Sequence, residues 1–131
     1  MVKRVLVVED YEDTREMMRL MIEQHGYSVL EAAGPYEAIE KATQFRPDLI
    51  LMDIGLPLMD GLSTAEVING SADLENIPIV AVTAYHDVRA QALKAGCSGV
   101  LYKPIDPSKL KNVLDHHLMR SSSSPVTQTA F

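Results

Sequence analysis

The stretch Leu49-Ile50-Leu51-Met52-Asp53 places a carboxylate directly after four apolar residues. A short apolar run bounded by turn residues is typical of a strand that is buried in a sheet. The residues that follow, Ile54-Gly55-Leu56-Pro57, are rich in turn formers, so the strand is predicted to end at Asp53. Open α/β sheets bind their ligands at the carboxyl ends of the strands. Asp53 is therefore the first candidate for a functional residue.

Three other apolar runs, at residues 4–8, 79–82 and 99–102, also end in residues that can carry chemistry. In chain order, these residues are Glu9 with Asp10, Thr83 with Ala84, and Lys103 with Pro104. If the four runs are parallel strands of one sheet, three carboxylates, one hydroxyl and one ammonium group lie at the same edge.

Five strands are predicted to alternate with five helices. The strands are expected near residues 3–8, 28–32, 49–53, 77–83 and 100–102. Apolar residues at helical spacing fill the intervening gaps. In the first gap these residues, which we expect to fill the core, are Met17, Met18, Met21 and Ile22. The first helix is predicted to stop at Gly26, and the last is predicted to begin at Asp106-Pro107.

This alternation predicts an α/β fold, a doubly wound five-stranded parallel sheet with five helices on its two faces. Right-handed crossovers leave few strand orders available. In the flavodoxin-like order 2-1-3-4-5, the first and third strands are neighbours at the topological switch point. Glu9, Asp10 and Asp53 should then meet.

Composition excludes several function classes. The chain has 131 residues, the size of one domain, and its net charge is −6. No basic patch that would bind nucleic acid is visible, and no stretch approaches the roughly 20 apolar residues that span a bilayer. The single cysteine, Cys97, rules out an intramolecular disulfide. We therefore expect a cytoplasmic protein that binds neither nucleic acid nor membrane.

The domain is predicted to cover residues 1–119. Residues 120–131 are rich in serine and contain few apolar side chains. Such a segment buries too little apolar surface to offset the entropy of ordering it, so a disordered tail is expected. The tail is compatible with a linker or with a natural end.

The predicted edge suits phosphoryl chemistry. Three carboxylates in close proximity repel one another, and oxygen ligands favour Mg²⁺ as the ion that relieves the repulsion. Lys103 adds a second positive group, while the Thr83 hydroxyl and the Ala84 backbone N–H are short donors for phosphoryl oxygens. Asp53 would then be the nucleophile that forms an aspartyl phosphate.

These motifs together resemble the response-regulator receiver domains of bacterial two-component signalling, in particular the single-domain chemotaxis and cell-cycle regulators. The resemblance covers about residues 3–119. It rests on four segments in order, which are Val8-Glu9-Asp10, Met52-Asp53 through Asp60-Gly61, Val82-Thr83-Ala84, and Lys103-Pro104.

The resemblance implies a role for each matching residue. Asp53 is the phosphoacceptor; Mg²⁺ is held by Asp53, by Asp10, by Glu9 through water, and by the backbone carbonyl of Gly55. Thr83 and Lys103 contact the phosphoryl oxygens and draw the following loop inward. The Lys103-Pro104 peptide bond is cis.

The implied partners are a histidine kinase or phosphotransfer protein and a downstream protein target, which binds the face formed by the fourth helix, fifth strand and fifth helix. A monomer is expected.

One feature departs from the family pattern. Receivers commonly carry an aromatic residue three positions before the lysine, where this chain has Val100, which is stiff and has no ring. Tyr102 is adjacent to the lysine, so strand alternation argues against a simple substitution. The resemblance also implies that the positions of Gly55 and Tyr85 tune the lifetime of the phosphate. Because Gly55 has no side chain to orient attacking water and Tyr85 could shield the site, slow self-dephosphorylation is expected.

Two other functions compete with a phosphorylation switch that processes no external metabolite. A degenerate receiver could serve as a phosphate-independent adaptor; the presence of all five site residues argues against this alternative, and Val100 keeps it open. A phosphatase of the haloacid dehalogenase class also uses a strand-end aspartate with Mg²⁺. That class needs a second aspartate two residues later, where this chain has Gly55.

Overall fold

The computed structural model describes residues 2–55 and 61–119. Strands and helices alternate throughout, and their bounds are β1 Arg4–Val8, α1 Glu12–Glu23, β2 Ser28–Ala32, α2 Pro35–Phe45, β3 Leu49–Asp53, α3 Gly61–Asn69, β4 Ile79–Thr83, α4 Arg89–Lys94, β5 Gly99–Tyr102 and α5 Pro107–Leu118. The predicted alternation is confirmed.

The five strands form one parallel sheet in the order β2-β1-β3-β4-β5. This order confirms the prediction and makes β1 and β3 neighbours. The register aligns the carboxyl ends of adjacent strands, since Asp53 pairs with Val82 and Thr83 pairs with Tyr102. The chemistry-bearing residues at these ends are therefore brought to one edge.

A buried apolar cluster covers each face of the sheet. One cluster joins the sheet to α2, α3 and α4, and the other joins it to α1 and α5. Residues of β1 alternate between the clusters, as Leu6 belongs to the first and Val7 to the second. Side chains of β3 are buried on both faces, which explains why its sequence is continuously apolar rather than alternating.

Helix boundaries follow local signals. Asp106 caps α5, because its carboxylate accepts a 2.8 Å hydrogen bond from the Ser108 backbone N–H, and Pro107 occupies the first turn. Gly26 lies just beyond α1 with a φ of 90°, a conformation that glycine adopts without steric cost.

Two predictions about individual residues are wrong. The strand predicted over 77–83 begins at Ile79, because the Ile77 N–H closes a turn on Leu74 and Pro78 has no N–H. Met17 is exposed, whereas Met18 is buried in the core. Adjacent helical residues point about 100° apart, and in this turn of α1 Met18 faces the core while Met17 is turned toward solvent.

The disordered tail predicted over residues 120–131 lies outside the described residues. Within the described part of the chain, no helix combines the length and apolar character needed to cross a membrane.

Candidate functional site

Four strand ends supply the polar groups of the site. Asp53 and Thr83 are the last residues of β3 and β4, while Glu9 and Lys103 directly follow β1 and β5. The sheet order and the parallel register bring these ends together at one edge.

A cluster of three carboxylates forms at the junction of β1 and β3. Glu9 is 2% exposed and Asp53 is 7% exposed, whereas Asp10 is open to solvent. One carboxylate oxygen from each of the three residues lies within 4.8 Å of the other two. The predicted meeting of Glu9, Asp10 and Asp53 is therefore observed.

The Lys103 ammonium group lies between two of these carboxylates. Its Nζ is 2.9 Å from Glu9 Oε1 and 3.4 Å from Asp53 Oδ2. Burial raises the pKa of Glu9, and the hydrogen bond from Lys103 only partly opposes that effect. Burial also acts to lower the pKa of Lys103, but its hydrogen bond to Glu9 and the charge on Asp53 raise that pKa above its ordinary value. Lys103 therefore stays protonated and partly neutralises the cluster.

Short backbone hydrogen bonds orient the remaining groups. Asp53 Oδ1 accepts a 2.9 Å bond from the Gly55 N–H. The Thr83 hydroxyl, which belongs to a residue only 2% exposed, accepts a 3.0 Å bond from the Tyr85 N–H. The Lys103 N–H donates to the Thr83 carbonyl at 2.8 Å, so the ends of β4 and β5 are joined.

Gly61 is required by a close backbone approach behind Asp53. A Cβ atom at this position would collide with the Asp53 carbonyl oxygen and with Ile54 Cα. Neither atom can move without displacing the strand end. The motif that contains Gly61 is visible in the sequence, but this steric reason becomes clear only in three dimensions.

The predicted supporting residues surround the edge. The Lys103–Pro104 peptide bond is cis, as the resemblance implies. Ala84 is exposed directly after β4, and the Tyr85 side chain is 65% exposed. Val100 packs against the core cluster that covers α2, α3 and α4.

Tyr102 has a partner that sequence reasoning missed. Its ring stacks on His86, in the loop between β4 and α4, with the centroids 4.8 Å apart and the planes 12° from parallel. An aromatic contact thus connects the end of β5 to the loop that follows Thr83. Because the loop geometry is not encoded in residue spacing, no sequence signal pointed to His86.

Arg15 is a second residue that the sequence did not single out. From α1, its Nη1 donates to the Glu9 backbone carbonyl at 2.9 Å, and its Nε is 3.0 Å from Glu31 Oε1. The pairing of β1 with β2 places Glu31 nearby, a relationship that becomes visible only once the strand order is known.

The residues present fit a divalent cation. All the side-chain donors of the cluster are carboxylate oxygens, which suit a hard cation such as Mg²⁺, and one of the three is open to solvent. The buried oxygens are already oriented by Lys103 and by backbone N–H groups. Gly55 is in position next to Asp53, although the role of its carbonyl stays a prediction.

Comparisons with known proteins agree on one family. The sequence model of the response regulator receiver domain matches residues 5–115. The polar-differentiation response regulator DivK of Brucella anthropi is 34% identical over 120 residues, which cover 90% of this chain and 98% of that protein.

Solved structures give the same answer. The chemotaxis protein CheY4 of Vibrio cholerae superposes with a TM-score of 0.85 at 28% identity, covering 90% of this chain and all of that one. The receiver domain of a sensor histidine kinase from Pseudomonas aeruginosa, solved with magnesium in its active site cleft, gives a TM-score of 0.83 at 30% identity, with 92% of this chain and all of that one covered. This chain belongs to the response regulator receiver domains of two-component signalling.

Proposed function

We propose that the chain is a phosphorylation switch in which Asp53 accepts a phosphoryl group from a histidine kinase or phosphotransfer protein. The observation that carries the proposal is the placement of the Asp53 carboxylate. It ends a buried strand, lies 3.4 Å from the Lys103 ammonium group, and belongs to a three-carboxylate cluster. Receiver domains act as signalling switches rather than as enzymes that process metabolites.

The proposed reaction is an in-line transfer. An Asp53 carboxylate oxygen forms a bond to phosphorus as the phosphorus–nitrogen bond of the donor phosphohistidine breaks. Lys103 stabilises charge on the phosphoryl oxygens, and the Thr83 hydroxyl and Ala84 N–H are the proposed donors to the remaining oxygens. The protein promotes its own phosphorylation and hydrolysis only.

The proposed cofactor is Mg²⁺, held by Glu9, Asp10, Asp53 and the Gly55 carbonyl. When bound, the ion would neutralise the carboxylates and the incoming phosphoryl oxygens. Support comes from the oxygen-only donor set and from the magnesium present in the cleft of the Pseudomonas aeruginosa receiver.

The signal is proposed to leave through the face formed by α4, β5 and α5. Thr83 and Lys103 are joined by a backbone hydrogen bond, so a shift of the Thr83 hydroxyl toward a phosphoryl oxygen acts directly on β5. A groove of about 430 Å³ lies on this face, and its lining includes Tyr102 of β5. The lining residues with a basic or imidazole side chain are Arg89, Lys109, His116 and His117. Among the residues that the structure describes, no carboxylate lines the groove, which favours a downstream protein with an acidic contact surface.

Other parts of the proposal follow the sequence expectations. The protein is proposed to act as a cytoplasmic monomer, in keeping with its single, buried cysteine. Slow loss of phosphate is proposed from Gly55 and Tyr85. The second candidate function is a phosphate-independent adaptor, which is favoured by the absence of a ring at Val100.

Incubation with acetyl phosphate, with and without Mg²⁺, separates the two candidates. On a phosphate-affinity gel, the switch gives a Mg²⁺-dependent retarded band that Asp53→Asn lacks. The adaptor gives no such band, although the protein is folded, and its Asp53→Asn variant binds the partner as the wild type does. Amide NMR spectra then test the output face, where phosphorylation should shift resonances of α4, β5 and α5 in the wild type and leave Asp53→Asn unaltered.

A further inference from the structure

Arg15 connects the acidic loop to the second strand of the sheet. Its side chain is 17% exposed and makes two contacts through different nitrogens, one to the Glu9 backbone carbonyl and one to the Glu31 carboxylate. A planar guanidinium can make both contacts at once because its N–H donors point in fixed, divergent directions.

Glu31 is itself held firmly. Its Oε1 accepts the hydrogen bond from Arg15 Nε, and its Oε2 lies 3.3 Å from Arg19 Nε. Its backbone carbonyl accepts a hydrogen bond from Lys41 Nζ. Two groups other than Arg15, the Arg19 guanidinium and the Lys41 ammonium group, therefore hold the residue that anchors Arg15.

The main chain of Glu9 is consequently bonded on both sides. Its N–H donates to the Ala32 carbonyl at 3.0 Å, and its carbonyl accepts from Arg15 at 2.9 Å. This carbonyl belongs to the peptide unit that joins Glu9 to Asp10, the two carboxylates that β1 contributes to the cluster. A rotation of that peptide would turn the two side chains away from Asp53.

We propose that Arg15, anchored by Glu31, is a positioning residue that orients the Glu9–Asp10 peptide and thereby sets the affinity of the site for Mg²⁺. The inference rests on the proposed function only in requiring that Mg²⁺ binds the carboxylate cluster.

Charge and geometry predict opposite effects of removing Arg15. A positive charge beside the acidic loop repels a cation, so its loss should tighten Mg²⁺ binding if charge alone matters. Loss of the positioning contact should weaken binding, and changes to groups that orient metal ligands commonly weaken metal affinity by roughly tenfold or more. The sign of the change therefore separates the two effects.

Arg19 provides a matched control. It pairs with the same Glu31 carboxylate, and its neutralisation removes the same unit of charge. Within the described part of the chain, its ion pairs are with Glu16, Glu23 and Glu31, and it makes no contact with the Glu9 backbone. Arg19→Gln thus changes the charge and perturbs the anchor while leaving the contact to the loop in place.

Calorimetric titration of the full chain with Mg²⁺ tests the inference. Arg15→Gln should bind roughly tenfold more weakly than the wild type, Arg19→Gln should bind within about twofold of it, and Arg15→Lys should fall between because one ammonium group cannot span both acceptors. Urea unfolding of each variant shows whether a change in affinity accompanies a loss of fold.

A measurement without metal separates positioning from a general loss of stability. Amide hydrogen exchange at Glu9 and Tyr11, whose N–H groups are hydrogen-bonded, should be faster in metal-free Arg15→Gln than in Arg19→Gln, while exchange in β4 stays the same. Mg²⁺ binding by Arg15→Gln that is equal to or tighter than that of the wild type overturns the inference. Failure of the wild type itself to bind Mg²⁺ overturns both the inference and the metal in the proposed function.

Discussion

Lys103 and Glu9 meet across the sheet although 94 positions separate them in the chain, and the Lys103 Nζ lies 2.9 Å from Glu9 Oε1. The ammonium group therefore pairs with carboxylates, Glu9 and Asp53, that would also bind a divalent cation. Lys103 therefore has two opposed effects, as it neutralises the metal-free cluster and competes with a metal for it.

Removing this ammonium group should separate the two effects. Lys103→Gln is expected to bind Mg²⁺ more tightly, by roughly tenfold or about 1.4 kcal/mol, because the competing charge is gone. Its phosphorylation by acetyl phosphate should slow by a factor on the order of a hundred, because a group that stabilises the transferred phosphoryl is lost. Calorimetry and a timed phosphate-affinity gel measure the two quantities. Lys111→Gln, which removes an exposed lysine paired with Asp115, should change neither, and weaker Mg²⁺ binding by Lys103→Gln would contradict the assignment.

The close approach at Gly61 predicts a severe effect from one methyl group. Gly61→Ala should destabilise the protein by roughly 1–3 kcal/mol, because the new Cβ meets backbone atoms that have no room to retreat. It should also slow phosphorylation, since the displaced backbone carries Asp53. Gly99→Ala is the matched control, as its Cβ would meet no atom within 4 Å. Urea unfolding gives the stability, and equal stabilities of the two variants would refute the steric account.

The aromatic stack gives a measurable coupling. His86→Ala and Tyr102→Leu, singly and together, form a double-mutant cycle on the free energy of unfolding. The contact predicts a coupling of roughly 0.5–1.5 kcal/mol, the usual range for a stacked aromatic pair. Strict additivity of the two single changes would show that the rings do not stabilise each other in solution.

Buried Cys97 predicts a dependence of stability on alkaline pH. Burial raises its pKa from 9.0 to about 11, so between these values the folded protein holds a proton that the unfolded chain has lost. Stability must then fall as the pH rises through this window, by up to roughly 2–3 kcal/mol. Urea unfolding at the low-pH and high-pH ends of this range gives the change in the free energy of unfolding. The wild type should show the loss of stability that is due to the thiol, and Cys97→Ala should lack it. A parallel decline of the two proteins would argue against it.

The strand order and the acidic cluster were predictable from sequence for the same reason. The strands β1, β3, β4 and β5 are largely apolar runs, so the residue at the end of each is identifiable, and parallel pairing brings those ends to one edge. Asp53, Thr83 and Lys103 were found this way.

Other features depend on tertiary relationships that spacing does not encode. The Arg15 contact needs the side-by-side placement of β1 and β2, and the Gly61 contact needs the path of the backbone behind Asp53. Strand alternation argues against Tyr102 as a substitute for the ring that is missing at Val100, yet the loop after β4 places His86 against the Tyr102 ring. Met17 shows the limit of periodicity, since the spacing places it within one residue of the buried stripe without deciding which side of the stripe it joins.

Phosphorylation of Asp53 is tested most directly by chemical trapping. The full chain is incubated with acetyl phosphate, reduced with borohydride, digested and analysed by mass spectrometry, because reduction converts an aspartyl phosphate to homoserine. The switch predicts conversion at residue 53 alone, dependent on Mg²⁺ and strongly reduced in Asp10→Asn. Conversion at a different carboxylate, or none in a folded protein that binds Mg²⁺, would contradict the account.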